Sequence, residues 1–173
     1  MPNALRLIDS IEEQDLDHPL DGVEELLNTQ NLSFQRLTDD ELFIEYRGRF
    51  GLYRMIFVWN DELGAMQFCS QMDVQVSAPN TEKALAIVAE INTALWIGHF
   101  DLPAENNIPT YRHTQLFRAD NTDHALNYVS DMMDIAVASC DKHYATFMTL
   151  AADESAQHDD LFFAMMPAAG RCH

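Results

Sequence analysis

Five side chains in this sequence have the types and spacing that chemistry needs. His99 and Asp101 alternate, so in a strand they point the same way, and His113 follows in the next extended stretch. Cys140 and His143 are three apart, which sets them on one face of a helix. Imidazole, thiolate and carboxylate are the ligands of zinc, and a Cys/His pair is also a nucleophile with its base. The function these residues would serve is a small-ligand or metal-dependent sensor or enzyme. Against it stands the spacing. A structural zinc site needs four ligands, signalled by paired short spacings, and Cys140/His143 is one such pair without a second. Cys140 is read instead as a small core hydrophobe and His143 as a surface histidine. His99, just after Gly98 at a helix-to-strand corner, reads as a side chain that hydrogen-bonds the free carbonyls of the helix end. Asp159, Asp160, Cys172 and His173 crowd the C-terminal part and read as a solvated acidic face. No catalytic residue, metal or cofactor is assigned, and the expectation is a protein that is not an enzyme.

Other chemical signatures point the same way. Gly48 and Gly51 lie in a hairpin turn and not between a strand and a helix, so neither nucleotide-binding fingerprint applies. The nucleophile elbow Gly-x-Ser-x-Gly does not occur. The chain carries 28 Asp plus Glu against 10 Lys plus Arg, a formal net of −18. Nucleic acid and anionic membrane surfaces both demand a basic footprint, which Arg47, Arg49 and Arg54, interrupted by Glu45, do not make. A basic partner fits that charge better. Cys69, Cys140 and Cys172 are three, an odd number without framework spacing, and predict free thiols in a reducing cytoplasm. Acidic residues from Asp9 to Asp17, with no basic n-region before an apolar core, predict no secretory leader.

The elements that must position these residues can be read from periodicity. Hydrophobic residues make up 47% of 173, enough for one domain with a full core over residues 18–173, preceded by a flexible acidic arm over 1–17. Pro19 opens a first helix to about residue 29, with Leu20, Val23, Leu26 and Leu27 on one face. Strands follow at 33–37, 41–47, 52–59 and 65–76, joined by short turns into a meander. Both faces of 52–59 are apolar, which predicts cover on both sides. Met55, Phe57, Trp59, Met66, Phe68 and Met72 are read as core. Residues 80–97 form a helix apolar nearly all round, with Asn80 or Thr81 as its cap and Gly98 as its stop, expected to be covered on several sides. Short strands at 99–102 and 108–118, a long helix from about 120 to 154 and an apolar segment from Leu161 complete the chain. The order is helix, four-strand meander, helix, two strands, helix. It predicts an α+β fold with an antiparallel sheet.

The segment HPLD at 18–21, the meander ending in Trp59, INTALWIGHFDL at 91–102 and YRH at 111–113 resemble the YbjN-type proteins, described as putative bacterial sensory transduction regulators. The resemblance runs from about residue 18 onward and is most specific over 92–101. It implies a fold similar to type III secretion chaperones, a sandwich that commonly dimerises and binds other polypeptides, and it brings no catalytic residues. The function expected is a non-enzymatic protein-binding regulator or chaperone-like adaptor in bacterial signalling or stress response, acting as a homodimer. The surplus apolar face of the 80–97 helix singles out Ile91, Leu95, Trp96, Ile97 and Phe100 as its protein-binding or dimer surface.

Overall fold

A computed structural model describes residues 18–117 and 125–152. The expected arm at 1–17, the start of the last helix near residue 120 and the segment from Leu161 lie outside the described residues. The elements in order are α1 (Pro19–Thr29), β1 (Phe34–Thr38), β2 (Glu41–Arg47), β3 (Leu52–Asn60), β4 (Ala65–Gln71), a 3-10 turn (Ala78–Asn80), α2 (Thr81–Ala94), β5 (His99–Asp101), β6 (Thr110–Leu116) and α3 (Ala125–Ala151). All six strands pair antiparallel in one sheet, in the order β1-β2-β3-β4-β6-β5. The meander lies side by side as its short turns require. The chain then crosses through α2 to the far edge, lays down β5, and returns as β6 between β5 and β4. This is an α+β architecture.

Alternation decides the faces. Leu42, Ile44, Tyr53, Met55, Phe57, Met66, Phe68, Phe100 and Tyr111 point to one side and are buried with Leu20, Val23 and Leu27 of α1, Ile87, Val88 and Ile91 of α2, and Met133, Cys140 and Phe147 of α3. Each large apolar side chain taken from water there contributes about 1.5–3 kcal/mol. The opposite face carries Phe43, Leu52, Ile56, Val58 and Cys69, all half-buried, and no described element lies on it. Among the described residues, the cover expected on both sides of β3 is thus present on one. Apolar residues on the two faces of a strand look alike in sequence, and the placement of the helices decides between them.

Three side-chain devices join the layers. His18 caps α1 through Nδ1, which accepts the Leu20 N–H at 3.2 Å, while Nε2 meets Asp40 at 3.1 Å. Arg36 on β1 reaches Glu24 at 2.6 Å and Asp21 at 3.3 Å, tying α1 to the sheet. At the β2–β3 turn, Asp141 of α3 accepts the N–H groups of Arg49 and Phe50 and the Tyr53 hydroxyl. This close approach is why glycines stand in that turn. A Cβ on Gly48 would collide with Tyr53 and Asp141, and one on Gly51 with Asp73 and Tyr144. Their role is space; the left-handed backbone occurs among the described glycines at Gly64 and Gly98.

Several boundaries differ from the periodicity. β4 ends at Gln71 although Met72, Val74 and Val76 continue its buried alternation. Its neighbour there is the 107–109 segment, where Pro109 has no N–H to complete a ladder. Met72 and Val76 donate instead to the carbonyls of Pro109 and Asn107. Asn80 stands at the α2 cap position but does not cap it. Its buried amide donates to the carbonyls of Leu150 and Ala152, fastening the start of α2 to the last turn of α3.

Candidate functional site

The segment 92–101 turns α2 into β5. The helix stops at Ala94, three residues before the expected end, because Leu95 takes an extended backbone with φ −84° and ψ 130°. Asn92 explains the early stop. Its amide donates to the Phe100 carbonyl at 2.9 Å and its oxygen accepts the Phe100 N–H at 2.7 Å. Those two backbone groups face away from β6, so Asn92 takes the place of a seventh strand and closes that edge against outside pairing. Gly98 then reverses the chain with φ +67°, and a Cβ there would strike the Tyr111 hydroxyl. The Tyr111 hydroxyl donates to the Ile97 carbonyl at 2.7 Å. Burial pushes that phenol up to about 12, so it stays a donor. The work expected of His99 at this corner is done by Tyr111 and Asn92, and His99 is exposed.

Phe100 anchors the corner from beneath. Its ring meets Tyr111 at 5.6 Å, Phe147 at 5.5 Å and His143 at 5.8 Å. Of the five residues expected to form a protein-binding surface, Phe100 and Ile91 are therefore in the chain's own core, 1% and 2% exposed. They support the corner and do not face a partner. Leu95 is half-buried against the core. Trp96 and Ile97 point outward, and Trp96 is 100% exposed. Behind them the outer face of α2 shows Leu85, Ala86, Ala89 and Ala94. Among the described residues, the expectation of a helix covered on several sides is corrected to one buried face, formed by Ala84, Ile87, Val88 and Ile91. A helix placed at the sheet margin meets neighbours on one side.

The polar groups weighed as a ligand set are separated by the sheet. His99 and Asp101 pair with Arg112 and Thr110 on the uncovered face, where Asp101 lies 3.3 Å from Arg112. His113 pairs with Phe68 on the helix side, where burial lowers its pKa. Cys140 and His143 do share a face of α3, also on the helix side. Cys140 is fully buried beside Ser70 at 3.8 Å, and burial pushes its thiol up to about 12, which removes thiolate character. His143 is not the surface histidine expected but 6% exposed, because the register of α3 stacks it with Cys140 and Phe147 over Phe100. Burial lowers its pKa to about 4, and its Nδ1 has no hydrogen-bond partner. Among the described residues, no three His, Cys, Asp or Glu side chains are grouped to hold a metal ion. Asp159, Asp160, Cys172 and His173 lie outside the described residues.

Sequence reasoning missed Asn92, Tyr111 and Asp141. The one available signal was an asparagine in an otherwise apolar helix turn.

These features define a small α+β domain on a single antiparallel sheet, with helices on one face and a rigid apolar corner at its margin. The chain belongs to the YbjN family, described as "Putative bacterial sensory transduction regulator", whose model matches residues 19–148. Among solved structures it is similar to the crystal structure of YbjN, "a putative transcription regulator from E. coli", at 12% identity and a TM-score of 0.47, covering 72% of this chain and 93% of that one. No curated protein matches the chain. No described helix is long and apolar enough to cross a membrane.

Proposed function

We propose that this protein is a non-enzymatic, protein-binding regulator or chaperone-like adaptor of bacterial signalling or stress response, acting as a homodimer in the cytoplasm, and that the Trp96–Ile97 corner is where it takes its partner polypeptide. The observation that carries this reading is Trp96. An indole fully in water is an unusual expense for a folded chain, and tryptophan is the residue type most enriched at binding hot spots. The corner is also preorganised. The Asn92 bracket, the Gly98 turn and the Tyr111 hydrogen bond hold it before any partner arrives, which lowers the ordering cost of binding. The unpaired thiols Cys69 and Cys140 suit a reducing compartment.

The partner's chemistry follows from charge. Exposed Glu82 and Glu90 flank the apolar stripe on α2, in a chain of net −18. An apolar segment carrying lysine or arginine fits, and its association is accelerated at low salt. Strand addition at a sheet edge is disfavoured. Asn92 closes the β5 edge, while β1 is bulged between Arg36 and Thr38 and has its Thr38 and Asp39 carbonyls taken by the Arg36 side chain.

The test is a photo-activated cross-linker placed at position 97 in the native cell, with an equivalent placed at exposed Leu63 as control. The reading expects one basic polypeptide captured from position 97 and not from position 63, and its loss when Trp96→Ser is added. Equal capture from both positions would contradict it.

A further inference from the structure

We propose that the uncovered sheet face is the surface through which two copies of this chain associate, a step that rests on the dimer reading above and assigns it a place. By register one row crosses the sheet as Phe43, Ile56, Cys69 and Arg112, and Val58 sits one step along beside Gln67. Phe43, Leu52, Ile56, Val58 and Cys69 form a half-buried apolar centre on β2, β3 and β4 with no described element above it. Such a centre within a polar surround is the anatomy of a sheet that packs on another sheet, with about 10 Å between backbones.

Charge identifies the occupant. The outward-pointing charged residues of the six strands are Glu41, Glu45 and Asp101 against Arg47, Arg54 and Arg112, so this face is formally neutral. Two of each sign are already neighbours, with Arg54 at 4.0 Å from Glu45 and Arg112 at 3.3 Å from Asp101. The whole chain is −18. Two such copies repel through most surfaces, and a neutral apolar face is where that repulsion is least. A strongly basic partner would gain little here and more along α2, where Glu82 and Glu90 are exposed.

Size agrees with a reversible dimer. Strands about 4.8 Å apart and rising about 3.3 Å per residue make this face roughly 24 Å by 23 Å, or roughly 550 Å² per copy. Two copies would bury roughly 1,100 Å², near the lower limit for a specific interface, so the dimer should dissociate on dilution.

The experiment is sedimentation equilibrium of the full chain across the micromolar range, with the wild type, Gln67→Glu, Ile56→Glu and Trp96→Ser. Gln67 is exposed, so Gln67→Glu keeps the fold and adds a like charge to both facing surfaces. The proposal expects a concentration-dependent dimer, weakened about tenfold or more by Gln67→Glu and Ile56→Glu and unchanged by Trp96→Ser. In a Cys172→Ser background, maleimide labelling of Cys69 should slow as protein concentration rises. A strict monomer overturns the dimer reading itself. A dimer untouched by Gln67→Glu but broken by Trp96→Ser overturns this surface alone. Slow labelling of Cys69 at every dilution also overturns it, since the face is then covered by its own chain.

Discussion

His143 offers a test of the packing beneath the corner that does not depend on any partner. The ring is buried against Phe100, and burial holds its pKa near 4 where an unfolded chain has about 6.5. The folded state therefore keeps the ring neutral at pH values where the unfolded state has taken a proton. This depressed group costs nothing above about pH 6.5, and stability falls as pH drops from there toward about 4. Linkage with those two values gives a loss of about 1.4 kcal/mol at about pH 5.5 and about 2 kcal/mol at about pH 5. Measurements should stop there, because the sequence pI is near 4.4 and solubility falls. Many carboxylates titrate in the same range, so the quantity to measure is a difference. Urea unfolding of wild type and His143→Leu, followed by circular dichroism at matched pH, cancels the shared groups. The variant also removes a buried Nδ1 without a partner, so at pH 7 it should match or exceed wild-type stability. The stability gap between variant and wild type should then widen by about 2 kcal/mol down to about pH 5. A gap that stays constant with pH would refute the burial of His143 and with it the docking of α3 over Phe100.

Further expectations concern the corner and its supports. Asn92→Ala deletes both hydrogen bonds to Phe100 and should cost about 1–3 kcal/mol, with faster amide exchange at Phe100. Gly98→Ala meets both a left-handed backbone and the Tyr111 hydroxyl, and should lower the thermal midpoint by the equivalent of about 2–4 kcal/mol. Asp141→Ala frees the N–H groups of Arg49 and Phe50 and the buried Tyr53 hydroxyl, and should cost about 2–3 kcal/mol in chemical unfolding. Trp96→Ser should leave stability within about 0.5 kcal/mol, since the indole touches water and not the core.

Element order and the helix-side core were legible because period 2 and period 3.6 are visible in single residues. Leu42, Ile44, Met55, Phe57, Met66 and Phe68 alternate with polar neighbours or with a second apolar set, and their burial follows. The order of strands was less legible. Nothing in 99–118 says that β6 inserts beside β4 and leaves β5 at the margin, since that depends on how α2 crosses the sheet. This one fact of topology explains most of the differences. It leaves α2 with a single buried face, turns Phe100 inward to α3, and buries His143. Asn92 was illegible for another reason. Its partner lies eight residues away in a different element, and periodicity carries no information on a side chain that imitates a strand. Within 91–101 the inward residues Ile91 and Phe100 could not be told from the outward Trp96 and Ile97 without the turn at Leu95.

Under the proposed function, Trp96 at the corner between α2 and β5 is the contact for a basic polypeptide. The direct measurement is a titration of the purified cross-linked partner against wild type and Trp96→Ser at low and high salt. A hot-spot tryptophan is worth about 2 kcal/mol or more, so the variant should bind about thirtyfold more weakly, and wild-type association should slow with salt. Equal affinity of the two proteins for that partner would contradict the account.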